Sequence, residues 1–271
     1  MRGNSNEHPR GRVRSSTRWK HFVLPRLESG RRVERGIAMS TSRAETAADP
    51  RWRPLYRIGG AAALFSVAII PIQLIIFIVW GQPEHAIGWF NLFQDNKLAG
   101  LLAFELLFVV NAVVGSATTL ALYVALREVN ESLMALATVL ALVEAVAFIV
   151  ARPALEMLYL SNQYAVATTE AQKTMILAAG EVMLATFHGT AFHVGTNLFS
   201  IYYLIVSIVM LRSNIFGRVT AYTGIVAAIL NWGLYVPGGI GLFLFTLSVI
   251  PFLAIWLVLV ARRLFLLGRR V

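Results

Sequence analysis

The chain has 271 residues, of which 57% are hydrophobic and 14% charged, with mean hydropathy +0.66 and a formal net charge of +10. A soluble domain carries about a quarter charged residues, so the composition excludes an ordinary soluble protein and points to an integral membrane one. There is no cysteine, which excludes disulfides, zinc–thiolate sites and cysteine nucleophiles.

Residues 1–54 hold 13 Lys+Arg against 5 Asp+Glu, so +8 of the net +10 sits in a tail before the first apolar run. Charge placed there is a topology signal or an anionic-lipid contact, not a basic face for nucleic acid. The tail is rich in Arg, Ser, Glu, Gly and Pro and shows no apolar period, so it is expected to be disordered. Two readings of its beginning stand together: a genuine basic tail, or a translation start at Met39, from which "MSTSRAETAADPRWRPLYRIGG" leads into the first span.

A span takes about 20 mostly apolar residues. Six stretches qualify: 58–80, 98–126, 132–151, 187–211, 218–236 and 240–261. The backbone in lipid must bond to itself, which makes them helices and the fold class an all-α, six-helix transmembrane bundle. The segment 155–186 contains "TMILAAGEVMLAT" around Glu181, too short and too charged to span. It is expected as one or two helices capping the outer side. Arg51, Arg53, Arg57, Arg127, Arg212, Arg218, Arg262, Arg263, Arg269 and Arg270 flank one side of the spans and only Lys97, Arg152 and Lys173 the other. The positive-inside rule then gives N-in and C-in, in an inner (plasma) membrane, with the lipid bilayer as the evident partner and no nucleic acid. Ala112, Ser116 and Thr119, with Gly115 nearby, give span 2 a small-residue face for close helix approach.

Polar residues inside the spans are the candidates for chemistry. Gln73, Glu105, Glu144, His193, Asn197 and Asn231 come from five spans and fall at similar depth in the outer half. His193, Asn197 and Ser200, at i, i+4 and i+7, share one helix face. Three readings compete: a hydrogen-bonded cluster that only holds together the helices of a structural or protein-partner-binding membrane subunit, a cavity binding a small ligand, ion or proton, and a metal-dependent hydrolase using Glu105, Glu144 and His193. No HExxH spacing supports the third. No cofactor is implied, and an enzyme is the less favoured reading.

Three stretches look familiar: "LYRIGGAAAL" (55–64), "LALYVALREVNESLMALATVLALVEAV" (120–146) and "MLRSNIFGRVTAYTGIVAAI" (210–229). In this order they resemble the bacterial six-helix membrane family known as domain of unknown function 4386, over roughly residues 55–262. The resemblance implies six spans and no assigned activity. Where that family's 2–3 turn usually has a proline, this chain has Glu128. Where it often has an arginine near the Leu-Val-Glu-Ala stretch, this chain has Ala141, so the resemblance supplies Glu144 with no partner.

Overall fold

The computed structural model describes residues 50–269, which fall within one compact unit, Ser42–Val271. The expectations for the tail upstream of residue 50, including the start at Met39, lie outside the described residues. Among the described residues there is no strand. A 3-10 turn, Pro50–Trp52, opens into α1 (Arg53–Trp80), so the helix begins five residues before the expected span, with proline accepted in its first turn. Gly81 ends α1 at φ 71°, its N–H bonding the Phe77 carbonyl, a conformation that glycine adopts without steric cost.

Next come α2 (Ala86–Asp95), α3 (Lys97–Ala103) and α4 (Leu106–Leu126). They are followed by α5 (Glu131–Val150), α6 (Ala154–Val166), α7 (Glu170–Phe187) and α8 (Thr190–Leu211). The chain then forms α9 (Arg218–Asn231), a 3-10 turn (Trp232–Tyr235), and α10 (Gly239–Leu247). A π-helical segment around Pro251 (Ser248–Leu253) leads into α11 (Ala254–Arg269). Side chains set several starts. Asn96 and Asn130 each accept an N–H three residues on, at 3.0 Å, and Thr169 with Gln172 forms a capping box at α7.

Five helical stretches are long and apolar enough to cross a membrane: Pro50–Trp80, Leu106–Leu126, Glu131–Val166, Glu170–Leu211 and Gly239–Arg269. Their outward faces are apolar, with Ile78, Val113, Val146 and Leu242 between 62% and 75% exposed, as bilayer contact requires. Three expected spans differ in detail. The stretch 98–126 is not one helix: it breaks at Phe104–Glu105, where Glu105 has φ 64°. The stretch 187–211 starts at Thr190, because Phe187 and His188 close α7 instead. In 218–236 the α-helix stops at Asn231, whose side chain is drawn to α8 (below), and a 3-10 turn finishes the run.

Neighbouring helices run antiparallel. Thr118 Oγ1 donates to the Gly59 carbonyl at 2.9 Å, which sets the start of α1 beside the end of α4. Arg57 Nε donates to the Gly268 carbonyl, so α11 ends at the same place. Gly195 lies against the backbone of Glu144 and Phe148, which pairs the start of α8 with the end of α5. Of the expected Ala112, Ser116 and Thr119 face of α4, Thr119 is buried and bonds Tyr202 of α8, whereas the close approach to α1 uses Ala117 and Ala121. A carbon on Gly59 would meet Ala121 Cβ at 2.5 Å, whereas one on Gly115 would meet nothing within 4 Å. The core has two parts. One, with Tyr56, Leu122, Met134, Val206, Trp256 and Leu264, joins α1, α4, α5, α8, α9 and α11. The other is aromatic, with Trp89, Phe90, Phe93, Phe104 and Phe187, and sits under α2, α3, α6 and α7 at the opposite end from Arg57.

Candidate functional site

The six polar residues do not form one cluster. They divide into three groups.

The first joins α8 to α9. His193, Asn197 and Ser200 share one face of α8, as their spacing requires. Asn197 Nδ2 donates to the Tyr235 hydroxyl at 2.6 Å and to the His193 carbonyl at 2.8 Å, and Asn197 Oδ1 accepts from Trp232 Nε1 at 3.1 Å. Asn231 Nδ2 donates to Ser200 Oγ at 2.9 Å and to the Thr196 carbonyl at 3.3 Å. Both amides are therefore committed to the helix pair. The His193 imidazole is exposed, edge-on to Phe192 and 5.6 Å from the Tyr235 ring. It lines an open depression of about 470 Å³ with Gly189, Thr190, Val194, Asn197 and Leu198.

The second group surrounds the α3–α4 break. Glu105 Oε2 accepts from Arg152 Nε at 2.5 Å, and the two side chains are 12% and 3% exposed. The Arg152 guanidinium lies 4.2 Å from the ring centroid of Phe148, 4.6 Å from Phe187 and 5.2 Å from Phe192. One cation thus holds α5, α7 and α8 to the start of α4, with ring faces complementing its charge. The left-handed backbone at Glu105 lets Phe104 enter the aromatic core, 4.7 Å from both Trp89 and Phe187, while the carboxylate turns to Arg152. Gln73 Nε2 donates to the Leu102 carbonyl at 3.0 Å, which also accepts the Glu105 N–H at 3.1 Å where the helix breaks. Gln73 Oε1 is buried without a partner.

Glu144 stands apart. It is half-buried on α5, near the Tyr202 and Tyr203 side chains of α8, and Tyr202 accepts from Thr119 Oγ1 at 3.2 Å. Among the described residues no three His, Asp or Glu side chains gather so as to hold a metal ion. Glu105, Glu144 and His193 in particular are not assembled. Glu105 is taken by Arg152, and His193 faces outward from α8.

Sequence reasoning missed Arg152, which it counted as a loop charge, and the pair Trp232 and Tyr235, which it placed in the span 218–236 without a role. The signal for Arg152 was its setting between Ala151 and Pro153 with no other cation from 128 to 172. Nothing local marked Tyr235 as the partner of a residue 38 positions away. His188, expected on span 4, caps α7 and borders a smaller cavity of about 240 Å³ with Gln82, Glu84, Trp89 and Phe187.

The family model described as "Domain of unknown function (DUF4386)" matches residues 55–267. No curated protein and no solved structure matches the chain.

Proposed function

Since this chain belongs to the DUF4386 family, which lends it no activity, we propose a function from its own geometry: a six-span inner-membrane protein, N-in and C-in, that binds a small polar ligand at the outer end of α8. The observation that carries the reading is the depression of about 470 Å³ at which the exposed His193 ring makes no hydrogen bond to a described residue, while Asn197 beside it is held by Tyr235 and Trp232. A concave surface with one free donor–acceptor group is what small-molecule recognition uses.

The sixth crossing is α9 with its 3-10 extension, residues 218–235. It starts at Arg218 and reaches Ser200 through Asn231, and at 1.5 Å per residue its α-helical part alone accounts for about 20 Å of a core of about 30 Å. Charge supports the orientation. With the antiparallel pairing above, one end of the bundle collects Arg51, Arg53, Arg57, Arg127, Arg212, Arg218, Arg262, Arg263 and Arg269 against Glu128 and Glu131. The other collects Lys97, Lys173 and the ion-paired Arg152 against six carboxylates. The basic end is the cytoplasmic one.

A second reading has a specific observation of its own. Asn197, Asn231 and Glu105 all spend their bonding capacity inside the protein, as helix-joining contacts do. A thermal-shift screen of the detergent-purified chain against metabolites and ions, with His193→Ala alongside, separates the two. Binding predicts a wild-type melting temperature for His193→Ala and loss of a shift that the wild type shows. A purely structural role predicts no ligand shift in the wild type. Orientation is tested separately, because a chain without cysteine accepts single-cysteine labelling cleanly. Ser213→Cys should react only from the cytoplasm and Gln172→Cys only from outside, and the reverse pattern would invert the topology.

A further inference from the structure

The basic end of the bundle contains buried hydrogen-bond donors that no described residue accepts from. Trp52 Nε1 and Arg53 Nε are buried and have no partner among the described residues. Unpaired buried donors are rare and costly, so a pair of them at one place needs an acceptor from elsewhere. Arg127, at the end of α4, lies over the Trp52 ring at 5.5 Å. Arg57, one turn along α1 from Arg53, donates to the Gly268 carbonyl of α11 and adds a third guanidinium at this end of the bundle. The carboxylate found with these groups is Glu128, 3.8 Å from Arg127, and both of those side chains are a third or more exposed, so solvent weakens the pair.

We propose that this corner, built from Trp52, Arg53, Arg57 and Arg127, is a binding site for the phosphate of an anionic phospholipid. It is separate from the depression at His193 and rests on the orientation proposed above, with this end of the bundle cytoplasmic. The charge and the orphaned donors call for a phosphate anion. The surface next to them calls for a lipid as its source. Ile58, Phe65 and Ile72 follow at seven-residue spacing on one side of α1 and are 57%, 37% and 45% exposed. The stripe borders Arg57 around the helix, so an acyl chain descending from a headgroup held at Arg53 and Arg57 would cover it, which free phosphate would leave bare. A tryptophan at the end of a span also sits at headgroup level, and basic pockets between helix ends on the cytoplasmic side are where anionic headgroups bind.

The test uses the full-length chain in a neutral detergent. Phosphatidylglycerol, phosphatidylcholine and sodium phosphate are the three probes, melting temperature is one readout, and lipid retained in native mass spectrometry is the other. Phosphatidylglycerol should raise the melting temperature and be retained, and the other two probes should do neither. Arg53→Gln should weaken the effect about fivefold, the contribution of one arginine at an anionic surface. Trp52→Phe should weaken it too while melting like the wild type without lipid, because the ring stays under Arg127 and only an unpaired N–H is lost. Arg218→Gln, at the same end but on α9, should bind like the wild type, and so should His193→Ala. Equal stabilisation by phosphatidylcholine would overturn the proposal, as would an equal loss in Arg218→Gln, which would reduce the effect to general charge. A shift reproduced by sodium phosphate would overturn the lipid assignment.

Discussion

Glu105→Gln should cost about 3–5 kcal/mol of stability, the range for breaking one side of a buried ion pair. The burial decides the size. Arg152 is 3% exposed, so its charge cannot be rehydrated when the carboxylate is removed. The three phenylalanine rings around it hold the guanidinium where it is and stop it from swinging to solvent. Glutamine still offers an oxygen to Arg152 Nε, which sets the expected value at the lower end, about 3 kcal/mol. Replacing both partners together, Glu105→Leu with Arg152→Met, should cost much less than the two single changes added, because no charge is stranded. The assay is reversible unfolding of the purified chain in a graded denaturing detergent, read by tryptophan fluorescence, for the wild type, both single variants and the pair. A loss below about 1 kcal/mol for Glu105→Gln, or strict additivity in the double variant, would refute the argument that this pair fastens four helices. The backbone supplies an independent check. Glu105 has φ 64°, where a side-chain carbon is strained by about 1–2 kcal/mol. Glu105→Gly should therefore be more stable than Glu105→Ala, the reverse of their order inside a helix.

Gly224→Ala should destabilise by about 1–3 kcal/mol, since the added carbon would collide with Ser207 Oγ and Trp256 Nε1, both buried. Gly115→Ala, with open space at that position, should be neutral or stabilising by up to about 1 kcal/mol in the same unfolding assay. Ser161→Ala should cost about 1–3 kcal/mol, because fully buried Ser161 Oγ both accepts from Gln94 at 2.8 Å and donates to the Phe90 carbonyl at 3.0 Å. Asn231→Ala should cost about 0.6–1.7 kcal/mol, from the average to the maximum found for interhelical hydrogen bonds in a membrane protein; a larger loss would show that the Ser200 contact organises more than α8 and α9.

The sequence by itself determined the solvent. Continuous apolar runs fix helices in a bilayer, because lipid leaves the backbone no other partner. They also placed the arginines at one end, and that order survives in the antiparallel pairing of α1, α4 and α11. Short-range pairings were legible for the same reason. His193, Asn197 and Ser200 share a face because helical spacing alone settles it. The tertiary structure decided which polar groups meet. Depth along a span is one coordinate, and residues expected at similar depth on five spans still differ in the direction they face around the bundle. That second coordinate sent Glu105 to Arg152, Asn197 to Tyr235 and Asn231 to Ser200, and left Glu144 apart beside the α8 tyrosines. The break at Glu105 was invisible for a related reason. Apolar content on both sides of it reads as one span, and only Phe104 entering the aromatic core while Glu105 turns to a cation 47 residues away makes the left-handed residue worth its strain.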